Sequence, residues 1–119
     1  MTITASSPVK FSFARIGGGS DMRSEIQLWS KPVAPGSRPV AVLRFEQPTQ
    51  ATETVDRSLA PGTYVGVHLV LVREALNGRF KYSLSVAGHH VDAREGDVNT
   101  TPAPNDIRTF KSEFDLTVN

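Results

Sequence analysis

The chain has 119 residues, a length that fits one domain with its own hydrophobic core, and residues 1–119 are interpreted as a single domain. Its 13 basic and 12 acidic residues nearly cancel and are dispersed, which argues against nucleic-acid binding, because that function needs a concentrated basic surface. There is no cysteine, so disulfides, thiolate metal sites and cysteine nucleophiles are excluded.

The first half of the chain contains short segments in which apolar and polar residues alternate, which is the period of a β-strand. Strands are predicted at residues 9–13, around Ile26 and Leu28, and at residues 40–45. The glycines at 17–19 are expected to form a loop. Residues 46–58 are polar and weakly patterned, so at most an edge strand is expected at residues 53–59.

The second half has clearer boundaries. The sequence Ala-Pro-Gly-Thr at residues 60–63 predicts a type II turn, with proline and glycine at its two central positions. Asn77-Gly78 predicts a type I′ hairpin that joins the strands on either side of it. A polar loop is expected at residues 96–106. The strands predicted in this half are residues 64–73, 79–87, 90–94 and 110–118.

Together these patterns predict about seven to eight strands and no helix. Each strand has an apolar face to bury, so an antiparallel β-sandwich is expected, immunoglobulin-like or jelly-roll-like, with a small β-barrel as the alternative. The segment Leu-Ala-Pro-Gly-Thr-Tyr at residues 59–64 resembles the L-x-P-G-x-Y entry into a late strand of many immunoglobulin-like and carbohydrate-binding sandwiches. That resemblance implies that Tyr64 anchors a corner, and it concerns the fold alone.

The N-terminal segment lacks the basic start and apolar run of a signal peptide, and no stretch approaches the roughly 20 apolar residues of a membrane span. The expected location is the cytoplasm, or outside the cell by an export route that needs no cleavable signal peptide. No membrane insertion is expected.

Acidic and amide side chains gather between the last two predicted strands. Calcium takes six to eight oxygen ligands, which such a cluster could supply, although the spacing matches no defined calcium loop. The flanking Arg94 and Arg108 could instead neutralise the carboxylates, so no cofactor is expected and calcium is the alternative. The candidate ligands are Asp92, Glu95, Asp97, Asn99 and Asp106.

The histidines do not have the spacing of a zinc site. His89 and His90 are adjacent, so in a strand they point to opposite faces, and His68 falls in the middle of a predicted strand. No Gly-x-Ser-x-Gly motif or phosphate-binding loop occurs. The chain is therefore expected not to be an enzyme.

Two surface features are candidate contact sites. Trp29 is in the polar register of its strand, opposite Ile26 and Leu28, and an outward aromatic ring can grip a sugar or a protein. A one-residue bulge would instead return Trp29 to the core. The strand at residues 64–72 is apolar on both faces, so its outer face must be covered by a loop such as residues 46–58 or by a second copy of the chain.

These observations favour a non-catalytic binding or protein-interaction module, with a homodimer through the strand at residues 64–72 as one form. The alternative is a carbohydrate-binding sandwich, assisted or not by calcium. A second alternative is a small hydrolase with an unrecognised site. The candidate binding residues are Trp29, Tyr64 and His68.

Overall fold

The computed structural model describes residues 2–16, 21–74, 79–97 and 108–119. These residues form nine β-strands and no helix. None of them therefore belongs to a helix that could cross a membrane. In chain order the strands are β1 (Thr2–Ala5), β2 (Val9–Ile16), β3 (Asp21–Ser30), β4 (Ala41–Phe45), β5 (Thr52–Arg57), β6 (Gly62–Glu74), β7 (Arg79–Val86), β8 (His89–Asp97) and β9 (Arg108–Val118).

The strands form two sheets that pack face to face. The five-stranded sheet has the order β1-β9-β6-β3-β4, and the four-stranded sheet has the order β5-β2-β7-β8. All neighbouring strands are antiparallel except β1 and β9, which are parallel. Since each sheet has two edge strands, neither closes into a barrel. The predicted antiparallel sandwich is confirmed, and the barrel alternative is wrong.

The core lies between the two sheets and follows from the strand period. In β2, Phe11 and Phe13 have no exposed surface, whereas Lys10, which lies between Val9 and Phe11, is exposed. Phe13 packs against Phe45 of the other sheet, with ring centroids 5.7 Å apart. Burying a phenylalanine side chain of this kind stabilises the fold by about 1.5–3 kcal/mol.

The connection between β6 and β7 corrects one prediction. β6 pairs with β3 and β9, and β7 pairs with β2 and β8, so the two strands lie in different sheets. The strand pairing predicted from Asn77-Gly78 is therefore wrong, and residues 75–78 themselves lie outside the described residues, as does the predicted glycine loop at 17–19. A turn signal reports local backbone preference, and both sides of β6 are already occupied by other strands.

The hairpin that does form joins β7 to β8. Ala87 and Gly88 have φ angles of 51° and 81°, and positive φ at both central residues is the requirement of a type I′ turn. β8 then continues to Asp97, beyond the predicted end at residue 94. Asp92, Glu95 and Asp97 consequently lie on a strand, and the predicted acidic loop is corrected at these three positions.

Candidate functional site

The outer face of the five-stranded sheet carries a line of apolar side chains along β6. Even-numbered residues of β6 from Tyr64 to Val72 are buried in the core, while the odd-numbered ones point outward. The outward residues are half-buried; we call Val65, Val67, Leu69 and Leu71 the apolar strip. At about 3.3 Å per residue, the strip is about 20 Å long.

Polar side chains border the apolar strip on both sides. Glu25 and Gln27 of β3 lie on one side, and Lys111 and Glu113 of β9 lie on the other, each paired in register with a strip residue. Glu25 accepts hydrogen bonds from Arg44 Nε at 2.9 Å and from Gln27 Nε2 at 2.7 Å. The face therefore has an apolar centre and a polar rim that carries both signs of charge.

Trp29 lies on this outer face, at one end of the apolar strip. It pairs with Val65, and the only register irregularity between β3 and β6 is at the start of β3. The bulge that would return Trp29 to the core is absent, and its side chain is half-buried on the outer side. An ion pair between Lys31 and Asp115, 2.7 Å long, lies beside it.

A shallow groove opens on the face at the other end of the apolar strip. Its lining includes Arg23, Glu25, Leu69, Leu71 and Thr109. Residues 52–57, part of the segment considered as a cover for the strip, form β5, which pairs with β2 in the opposite sheet. None of the described strands lies over the apolar strip.

A buried polar pair joins the two sheets inside the core. His68 of β6 has no exposed surface, and its Nδ1 lies 2.7 Å from Oδ2 of Asp92 on β8. The imidazole packs edge-on against the rings of Phe13 and Tyr82, at centroid distances of 5.7 and 6.1 Å. Within the described residues, Nε2 of His68 has no hydrogen-bond partner.

Burial and the neighbouring charges shift the pKa values of Asp92 and Tyr82. Burial by itself would raise the pKa of Asp92, but the hydrogen bond from His68 and the attraction of His68 and Arg94 outweigh it, so the pKa is lowered. Asp92 is therefore ionised near neutral pH and accepts the hydrogen bond that Nδ1 of His68 donates. Burial, and then the charge of Asp92, raise the pKa of Tyr82 to about 12, with Arg94 acting in the opposite direction.

The pair resembles the base and its orienting acid of a catalytic dyad, but its position is different. A general base must come within hydrogen-bond distance of the proton that it abstracts. His68 is sealed between aromatic rings, and the nearby hydroxyls of Ser24 and Ser112 are also buried. Asp92 and His68 are therefore in a position to link the sheets and not to reach a substrate.

Tyr64 occupies the corner that the resemblance implied. Its side chain is buried, and its hydroxyl donates a hydrogen bond to the carbonyl oxygen of Ala60. Tyr64 and His68 thus offer almost no accessible surface for the binding role considered from the sequence, whereas Trp29 does.

The two candidate calcium ligands whose side chains are described, Asp92 and Glu95, are not brought together. Asp92 and Glu95 are three residues apart in β8, so they point to opposite faces of the strand. Asn99 and Asp106, and the side chain of Asp97, lie outside the described residues. Elsewhere in the described parts of the chain, no three acidic or histidine side chains are grouped to hold a metal ion.

Sequence reasoning missed Arg15, which is 5% exposed on the inner face of β2. Its guanidinium donates to the carbonyl oxygens of Met22, Phe45 and Gln50, and it forms an ion pair with Glu53 at 2.6 Å. The signal was present, because Arg15 continues the apolar register of β2 and so had to face inward.

Comparisons with known protein families, with curated proteins and with solved structures find no significant match to this chain.

Proposed function

We propose that the chain is a non-catalytic protein-interaction module whose contact surface is the outer face of the five-stranded sheet. The observation that carries this proposal is the apolar strip, a continuous line of half-buried aliphatic side chains on a solvent-side face. Single apolar residues are common on protein surfaces, but contiguous apolar patches mark sites of association.

The surroundings of the strip support the same function. Protein interfaces combine an apolar centre with a polar rim, and tryptophan and arginine are enriched among the residues that contribute most to binding. Trp29 and Arg23 lie on β3 beside the two ends of the strip, and Arg44 lies beyond Glu25 on β4. The buried position of the His68–Asp92 pair adds support for a non-catalytic role, since the pair offers no base to a substrate.

Site-specific photocrosslinking in the cells that naturally make the protein tests this proposal. A photoreactive amino acid at Val67 should give covalent adducts, because this position is at the centre of the strip. The matched control is Ser83, an equally half-buried outward residue on β7 of the other sheet. Equal adduct yields from the two positions, or none from Val67, would contradict the proposal.

The outward position of Trp29 favours a carbohydrate-binding function as the second candidate. An exposed indole ring can stack on the apolar face of a sugar. A glycan array with the wild-type chain and with Trp29→Ala tests this candidate. Binding that disappears in the variant would support it, and silence of the wild-type chain on the array would remove it.

A further inference from the structure

Resting on the proposed function, we propose that the occupant of this face is a second copy of the chain. The two copies dock face to face about a two-fold axis that lies in the plane of the interface and is perpendicular to β6. The axis passes between Val67 and Leu69, the middle of the apolar strip. The strip then packs on itself, with Val67 of one copy against Leu69 of the partner subunit.

The inference is carried by the charges that flank the strip on β9. Lys111 is in register with Leu69, and Glu113 is in register with Val67. Rotation about the axis exchanges the positions of Val67 and Leu69 along β6, so Lys111 of each copy faces Glu113 of the partner subunit. Both side chains are 62% exposed, and their own contact within one chain is 3.8 Å long, so both are available to a partner.

The other flank is self-complementary under the same axis. Arg23 is in register with Leu71, and Trp29 is in register with Val65, at the two ends of the strip. The exchange of levels places Arg23 opposite Trp29 of the partner subunit, and a guanidinium over an indole ring is a favourable contact. No residues of like charge on β3 or β9 then face each other across this axis.

A second two-fold arrangement is possible, with the axis parallel to β6. In that arrangement each position along β6 faces itself. Lys111 then meets Glu25 of the partner subunit, a carboxylate that already accepts hydrogen bonds from Arg44 and Gln27 of its own chain, and Glu113 meets an uncharged amide, Gln27 of the partner subunit. The perpendicular axis matches Glu113 with a cation instead. Opposite charges across an interface fix its register, whereas like charges suppress wrong pairings.

Charge reversal on β9 tests the arrangement with the full-length chain. Sedimentation should show a wild-type dimer, and Lys111→Glu and Glu113→Lys should each weaken dimerisation about tenfold, because each puts two pairs of like charges at the interface. An equimolar mixture of the two variants should recover wild-type affinity, since its mixed dimer contains only opposite pairs. Lys81→Glu, on the outer face of the other sheet, is the control and should leave the dimer unchanged.

The outcomes separate this inference from the proposed function. A monomeric wild-type chain whose Val67 crosslinks to a different protein overturns self-association and leaves the interaction module standing. A monomer with no crosslinks at Val67 overturns both. A dimer that the single variants do not weaken, or that the mixture does not restore, overturns the proposed docking.

Discussion

The two sheets of this sandwich distribute polarity in opposite ways. The five-stranded sheet has apolar residues on both faces of its central strand, with Val70 inside and Leu69 outside. The four-stranded sheet sends charged residues inward, with Arg15 on β2 and Asp92 on β8. Its outer face carries small polar groups, such as the Ser12 hydroxyl that bonds Thr54 at 3.1 Å.

This difference separates residues that build the core from residues that are available for contact. The inward charges are held by partners within the chain, so they belong to folding. The outward aliphatic groups have no such role, because the core is already complete without them. A face of this kind gains free energy only when something covers it.

The largest effect is expected from removing the inward charge of the four-stranded sheet. Arg15→Ala leaves Glu53 and three backbone carbonyl groups without their partner in the core. Deleting one member of a buried ion pair costs about 3–5 kcal/mol, which urea unfolding will measure. Arg44→Ala breaks an exposed ion pair with Glu25 on the five-stranded sheet and should cost about 0–1 kcal/mol. Equal losses in the two variants would show that position in the core does not decide the effect.

The second inward charge should make stability depend on pH. Because the folded-state pKa of Asp92 is lowered, its contribution is present above the unfolded value of about 3.9 and is lost as pH falls through the folded value. Asp92→Asn should therefore cost about 1.5–3 kcal/mol at neutral pH, and less below pH 4. Urea unfolding across this pH range measures the difference between the two proteins. Glu95→Gln, on the opposite face of β8, is the control, and a difference for Asp92→Asn that persists in acid would contradict the assignment.

The third prediction concerns the packing of Phe114 against Gly66, on the inner face of the five-stranded sheet beneath the apolar strip. A Cβ atom at Gly66 would overlap the buried ring of its cross-strand neighbour Phe114. Gly66→Ala should therefore destabilise the fold by about 1–3 kcal/mol, as measured by thermal or urea unfolding. Combining it with Phe114→Leu, which makes room for the methyl group, should cost less than the sum of the single changes. Additive losses would mean that the crowding is not the cause.

Sequence patterns predicted the fold class because burial in a sheet imposes a period of two. The two apolar faces of β6 were read from that period, and the corner at Tyr64 was implied by the resemblance of residues 59–64 to other sandwich strands. The sequence left the side of Trp29 open between an outward position and a bulge into the core, and the strand register places it outward. The pairing of β6 with β7 was not predicted correctly, because the choice of sheet depends on which strands already flank β6.

The sequence predicted only part of the candidate site. The strip residues could be named from the sequence, but their partners on the rim could not, since Glu25 and Lys111 meet the strip only through strand register. The acidic positions of β8 were grouped as one calcium site because they are close in sequence. The strand turns Asp92 toward His68, and Glu95 toward the opposite face.

Alternation and turn chemistry are local properties, so the order of the amino acids was enough to predict an all-β chain with a doubly apolar strand. Which polar residues are buried as pairs, and which charges border the apolar strip, depends on how the strands pair and the sheets pack. Those outcomes depend on contacts between residues far apart in the chain, such as His68 with Asp92 and Arg15 with Glu53, and no local pattern encodes them.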